Sequence, residues 1–166
     1  MSSPRATRPP GPGVAFLLSQ VGAHAAARFA ERLWPLKLTP AHAGILRAIS
    51  AGRGLSQQGL ARLLGMFPSR MVLVLDEMER AGLVERKASA ADRRTHALQL
   101  TPRGRESLLA IGRVAREHQD ELCAALSADE RETLAALLSR IAGQQRLTPG
   151  VHPGFRQLGR ENRGAC

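Results

Sequence analysis

The stretch Leu55-Ser56-Gln57-Gln58-Gly59-Leu60-Ala61-Arg62-Leu63-Leu64-Gly65-Met66-Phe67-Pro68-Ser69-Arg70-Met71-Val72 carries the spacing of two short helices joined by a tight turn. Ser56 is placed to cap the first helix, with Leu60, Leu63 and Leu64 facing inward. Ala61 is small enough to let the two helices cross closely, and Gly65, four positions on, can adopt the positive φ that the turn demands. The second helix restarts at Pro68, sets Met71, Val74, Leu75 and Met78 at i, i+3, i+4 and i+7, and stops at Gly82. Such a pair occurs as a plain structural corner and also as a DNA-reading element, whose second helix enters the major groove.

The flanking sequence extends this pattern in both directions. Upstream, Val14, Leu17, Leu18, Val21, Ala25, Phe29 and Leu33 recur at helical steps until Pro35, and Thr39-Pro40 then reads as an N-cap followed by proline at the first helical position. Downstream, Leu83 to Lys87 and Thr95 to Leu100 read as two strands around the basic tip Ala88-Ser89-Ala90-Ala91-Asp92-Arg93-Arg94. Thr101-Pro102 repeats the cap device and launches a long helix with Leu108, Ile111, Ala115, Leu122, Cys123 and Leu126 on one side. Ser127-Ala128-Asp129-Glu130 has capping-box spacing ahead of Leu134, Leu137, Leu138 and Ile141. The expectation is a mainly α (α+β) chain in the order four helices, ribbon, two helices. Residues 1–12 and 143–166, rich in Gly, Pro and Arg without apolar period, read as a disordered arm and a flexible basic tail.

The chain has 166 residues, 43% of them hydrophobic, enough for one self-supporting domain. Its formal charge is +10, and only Lys37 and Lys87 of the 24 basic residues are lysines. With one Trp, four Phe and no Tyr, stacking platforms for single-stranded nucleic acid are hard to build. The charge points towards phosphate, acidic membrane or acidic protein without choosing among them. Cys123 and Cys166 form neither a zinc cluster nor a disulfide framework, so no metal or cofactor is implied. Arg5 and Arg8 before Val14-Ala15-Phe16-Leu17-Leu18 resemble a signal layout, but the apolar run is shorter than the roughly 7–15 residues a signal needs. No stretch approaches the roughly 20 apolar residues of a membrane span, and a cytoplasmic location is expected.

Asp76-Glu77-Met78-Glu79-Arg80-Ala81-Gly82-Leu83-Val84-Glu85-Arg86, Asp92-Arg93-Arg94 and Leu98-Gln99-Leu100-Thr101-Pro102-Arg103-Gly104 together resemble the winged-helix core of the MarR (multiple antibiotic resistance regulator) family. The resemblance implies a winged helix-turn-helix at 39–101, flanked by dimerisation helices at 13–38 and 102–142. It further implies a homodimeric transcription regulator, commonly a repressor, that binds a pseudo-palindromic duplex operator and is often released by a small ligand or by oxidation. The family's wing-tip arginine falls on Arg94, with Arg93 beside it. A guanidinium suits a narrow minor groove, and Asp92 can accept from a neighbouring arginine to hold the tip. The alternative is a solvated charge run.

If Met71, Val74, Leu75 and Met78 face the core, then Ser69, Arg70, Val72 and Leu73 face outward. Arg70 can pair with guanine O6/N7, and apolar side chains can meet the thymine methyl. Many relatives carry Ser, Thr or Arg where this chain has Val72 and Leu73, so these two could instead pack within the protein. Ser56 and Gln57, at a helix start, suit phosphate, which positions without specifying sequence. The apolar stripes of the outer helices exceed what a small winged helix can cover, which argues for two-fold pairing.

In the family, effectors sit between the DNA-binding lobe and the dimer helices. Here that region holds His24, Arg28, His42, Arg47 and Arg113, any of which could pair a small anionic aromatic effector. His24 and His42 also read as ordinary structural histidines, the latter near a helix N-terminus where a neutral imidazole is preferred. Cys123 reads as a buried structural thiol, since little beyond Arg116 and His118 would activate it, and family members that sense peroxide carry their cysteine in the first helix. No nucleophile–base spacing, H-E-x-x-H or Gly-rich loop after a strand points to an enzyme. The competing reading is an architectural or oxidation-responsive DNA-binding protein of the same fold without a ligand pocket, with steep salt dependence and little sequence preference.

Overall fold

A computed structural model describes residues 11–52, 54–88 and 96–156. Helices α1 (Val14–Leu33), α2 (Pro40–Ala51), α3 (Gln57–Leu64) and α4 (Pro68–Arg80) precede an antiparallel ribbon, β1 (Val84–Ala88) and β2 (His96–Leu100). Helices α5 (Pro102–Leu122) and α6 (Ala128–Gln144) follow, with 3-10 turns at Trp34–Leu36 and Pro153–Arg156. The mainly α winged helix-turn-helix with flanking helices expected from the sequence is the observed fold.

The element boundaries follow from local chemistry. The hydroxyls of Ser56, Thr101 and Ser127 accept from the backbone N–H three residues on, each satisfying a donor that the helix cannot. Gly65 ends α3 at φ 65, and Met66 N–H donates to the Ala61 carbonyl at 3.0 Å. Gly82, at φ 69, does the same for α4 as Leu83 N–H reaches Met78 O at 2.9 Å. The core forms where the inner face of α4 (Met71, Val74, Leu75, Met78) meets Leu33, Ile45, Leu46, Leu60 and Leu98. Leu63, expected inward, is instead exposed, because Leu60, Ala61 and Leu64 already fill the buried side of so short a helix.

The ribbon pairs Val84 with Leu100 through Ala88 with His96. Leu98 N–H also donates to Leu55 O at 2.9 Å, and Ser56 bridges Ala97, so the segment entering α3 serves as a short third strand. At the ribbon's base Thr101 does three things. Its N–H donates to Leu83 O at 3.2 Å, its hydroxyl donates to Gly82 O at 2.6 Å, and the same oxygen accepts from Gly104 N–H at 2.9 Å. Gly104 is buried against the Leu83 carbonyl, where a Cβ would overlap the oxygen and sit 3.0 Å from its carbon.

Two expectations are corrected here. The long helix stops at Leu122, so Cys123 is a half-buried C-cap residue and lies off the buried helix face. The reason is Arg131, whose Nε donates to the carbonyls of Cys123 (3.1 Å) and Leu126 (3.2 Å), satisfying a helix end that the Ser127 capping box needs to be open. The second correction concerns the basic tail from 143. Gly143 and Gln144 still belong to α6, and the chain beyond them, exposed through residue 150, turns back so that Phe155 joins the core at 7% exposure. The arm at 1–10 and the tail from 157 lie outside the described residues.

His42 completes the Thr39 cap. Its backbone N–H donates to Thr39 Oγ1 at 3.2 Å, while Thr39 N–H donates to His42 Nδ1 at 3.3 Å, which requires that nitrogen to be unprotonated. Burial, only partly opposed by Glu77, holds the imidazole below its usual pKa of 6.5. Between that lowered value and 6.5 the unfolded chain binds the extra proton, so stability is full above this window and falls as pH drops through it.

Two outcomes follow from these packing arguments. Gly104→Ala should lower unfolding free energy by about 1–3 kcal/mol, an overpacking cost against rigid backbone, as read by chemical denaturation. His42→Gln keeps an acceptor for Thr39 N–H but does not titrate, so it should flatten the loss of stability that sets in as pH falls below 6.5. A pH profile identical to that of the wild type would contradict the assignment.

Candidate nucleic-acid interface

Helix α4 presents its outer face at the protein surface. Ser69, Arg70, Val72 and Leu73 are all exposed, Leu73 at 60%, while Met71, Val74 and Leu75 are buried beneath them. Val72, at 37% exposure, and Leu73 lie on the surface and outside the core of the described chain. The helix starts without a side-chain cap, at Phe67, and Pro68 has no N–H. The N–H groups of Ser69 and Arg70 therefore face outward with the positive end of the helix dipole behind them. Among the described residues Arg70 makes no ion pair, so its guanidinium is available to a ligand.

Ser56 and Gln57 stand beside this face at the start of α3. The Ser56 oxygen is engaged by Gly59 N–H at 3.1 Å, which leaves its own O–H free to donate. Gln57 Oε1 accepts from Arg86 at 3.3 Å, which leaves its amide NH2 free. Both can still give a hydrogen bond to an anionic oxygen.

Arg86 is a residue whose role the sequence reading did not see. From β1 it reaches Asp76 Oδ1 at 2.6 Å and pairs with Glu79, both on α4, while also touching Gln57 on α3. Charge-assisted bonds of this kind are about twice as strong as neutral ones, and here they lock the ribbon to the two helices it must accompany. The signal was present as Asp76 and Glu79, three apart on one helix face, followed by an arginine in the next strand. The ribbon tip with Asp92, Arg93 and Arg94 lies outside the described residues.

The five residues expected to face an effector do not converge. His24 is exposed on α1, Arg28 is paired with Glu31 at 2.5 Å and with Glu121 at 3.6 Å, and Arg113 is exposed on α5. His42 is buried in its capping box, with Nε2 3.8 Å from Glu77. Only Arg47 borders a cavity of about 300 Å3 between α1, α2 and α5, walled mainly by Phe29, Ala43, Leu108, Ile111 and Phe155. Phe29 and Phe155 as cavity walls were not legible in the sequence, since Phe29 reads as one more apolar residue of the α1 period and Phe155 stands alone among Gly and Pro. Among the described residues no group of three or more His, Cys, Asp or Glu is placed to hold a metal ion, and no helix is long and apolar enough to cross a membrane.

This geometry has known counterparts. Residues 36–95 match the sequence description of the MarR family. A protein of Thauera aromatica, assigned as a transcriptional regulatory protein for the hcr operon, is 37% identical over 112 residues, covering 68% of each chain. Among solved structures, the transcriptional repressor CouR bound to a 23-mer DNA duplex is 33% identical, with a TM-score of 0.69 over 78% of this chain and 92% of its own. A MarR family protein of Mycobacterium tuberculosis in complex with p-aminosalicylic acid is 31% identical, with a TM-score of 0.65 over 79% of this chain and 99% of its own. With 37% identity across 68% of each chain, the chain belongs to the MarR family of transcriptional regulators.

Proposed function

We propose that the protein is a homodimeric repressor that binds a pseudo-palindromic duplex operator through α4 in the major groove and the ribbon tip in the minor groove. The observation that carries this reading is the outward face of α4, with Ser69, Arg70, Val72 and Leu73 exposed above an uncapped helix start and Arg70 free of any described ion pair. Arg70 reads guanine, Val72 and Leu73 meet thymine methyls, and Ser56 and Gln57 hold phosphates. Arg94, with Arg93 beside it and Asp92 orienting the tip, enters the minor groove. The DNA complex of the related repressor CouR supports duplex DNA as the partner.

Pairing of two chains accounts for the outer helices. Val14, Phe16, Leu17 and Val21 on α1 and Leu134, Leu137, Leu138 and Ile141 on α6 are all exposed, and α6 buries none of its residues within the chain. A two-fold dimer built from 13–38 and 102–142 covers these stripes and sets the two 39–101 lobes about one DNA turn, roughly 34 Å, apart. The protein then acts in the cytoplasm, with residues 1–12 as a basic arm. A small anionic aromatic effector in the α1–α2–α5 cavity, near Arg47, releases the DNA. The aromatic acid bound by the mycobacterial family member supports that class of ligand.

Three measurements test this reading. Arg70→Ala should cost about 1–3 kcal/mol on operator DNA and narrow the gap between operator and random duplex in fluorescence anisotropy. Arg94→Ala should weaken both duplexes alike and reduce the salt slope by about one, leaving the dimer folded. Light scattering should give the mass of two 17.9 kDa chains; a single-chain mass would remove the two-fold reading, and unaltered affinity in both arginine variants would remove the interface.

A further inference from the structure

The segment after α6 returns to the body and places two side chains beside the α1–α2–α5 cavity. Gly150 takes the left-handed φ 69, and the Arg47 guanidinium lies against it, 3.3 Å from where a Cβ would stand. Val151 N–H then donates to Thr148 O and Phe155 N–H to His152 O, both at 3.1 Å, the second within the 3-10 turn Pro153–Arg156. Phe155 is buried although His152 and Pro153 are exposed. Its ring lies over Gly44 in the middle of α2, where an added Cβ would overlap one ring carbon and come within 2.8 Å of another. Glycine is a poor choice for a helix interior, and here the missing side chain seats a ring that arrives from outside the helix.

Seated there, Phe155 is one wall of the cavity, and Phe29 of α1 is another. Ala26, Gly112 and Ala115 are too small to fill the space between the helices, which stays open at about 300 Å3. That volume stands at the lower end of the roughly 300–1,000 Å3 of small-molecule sites and suits one ring with a short substituent. The titratable side chains on its border are Arg47 and His152, with no carboxylate among the described lining residues. Arg47 makes no ion pair among the described residues. His152 Nδ1 accepts from Gly154 N–H at 3.1 Å, which requires that nitrogen to be unprotonated and puts the ring proton on Nε2 as a donor. The imidazole stands edge to face with Phe155, ring centroids 6.2 Å apart, so the donor and the aromatic wall come as one unit. A guanidinium and a ring N–H favour a carboxylate, and aromatic walls favour a flat ring.

We propose that residues 150–155 are a built part of a small-molecule site. The cavity takes a single-ring aromatic carboxylate, whose ring packs against Phe29 and Phe155 and whose carboxylate is held between Arg47 and His152 Nε2. The proposal rests on the effector reading above and adds to it the second donor and the wall that selects a flat ligand, both supplied by the chain beyond α6.

The test titrates sodium benzoate and the uncharged benzamide into the isotope-labelled full-length protein and follows the amide NMR signals. Benzoate should move the amides of Gly44, Arg47, Gly112, His152 and Phe155 together and bind the wild type about ten-fold tighter than benzamide. His152→Ala should weaken benzoate about ten-fold and leave benzamide unaltered, while His152→Gln, which keeps a donor, should restore most of the loss. Phe155→Leu fills the seat over Gly44 without a flat ring and should weaken both probes about five-fold. Benzoate that shifts the α1, α2 and α5 amides but binds wild type, His152→Ala and Phe155→Leu equally removes the tail from the site and leaves the effector reading standing. Equal affinity for the two probes, or equal loss of both in His152→Ala, overturns the carboxylate pair, and absence of benzoate binding to the wild type overturns the site. Anisotropy on operator DNA at saturating benzoate decides the effector reading separately: tail-dependent benzoate binding with unaltered DNA affinity removes DNA release and keeps the site.

Discussion

The carbonyl of Leu83 is the point through which the two halves of the molecule are joined. It accepts from Thr101 N–H, and the Thr101 hydroxyl is shared between it and Gly82 O, in space that exists only because residue 104 has no side chain. This one junction fixes the end of α4, the start of β1, the end of β2 and the first turn of α5. The reading helix, the ribbon and the long outer helix therefore keep a constant relation to one another. Arg86 adds a second tie by holding β1 to Asp76 and Glu79 on α4. The proposed dimer, which sets two α4 helices a fixed distance apart, needs this rigidity between outer helices and ribbon, since a small angular error at α5 becomes a large displacement at the DNA.

Electrostatics on this scaffold separates attraction from reading. The charge of +10 is spread unevenly. Between Arg53 and Arg94 acidic residues offset most of the basic ones, and Asp76 and Glu79 are spent on Arg86. Long-range attraction to a polyanion comes from the whole chain, tails included, and is screened by salt. In the proposed reading, selectivity rests on side chains of α4 that are exposed and unpaired among the described residues, which is why Arg70 differs in kind from Arg28 or Arg131, both committed to partners inside the protein.

The legible parts of this fold were those written locally. Thr39-Pro40 and Thr101-Pro102 each encode a helix start in two residues, Gly65 and Gly82 each encode a stop, and the 3.6 period of Met71, Val74, Leu75 and Met78 identified the buried side of α4, so its outward face followed by subtraction. What escaped was non-local. Arg131 closes α5 from the next helix, Leu55 lends a carbonyl to β2 across some forty residues, and Phe155 packs on Gly44 from a stretch with no apolar period. A lone aromatic among glycines and prolines carries no periodic signal, and a mid-helix glycine does not announce what will lie on it. The expected effector region differs from the observed cavity for a related reason. Charge suggested a binding role for His24, Arg28 and Arg113, whereas the cavity is mostly apolar and reaches only Arg47 among the residues named.

Sequence-selective reading of duplex DNA by a paired winged helix is tested by footprinting the purified full-length protein on genomic fragments at one fixed salt concentration. The expected result is a protected inverted repeat with half-site centres about one helical turn, roughly 10 bp, apart, bound far more tightly than random duplex. Protection that follows protein concentration evenly along every fragment, with no preference over random sequence, would contradict it.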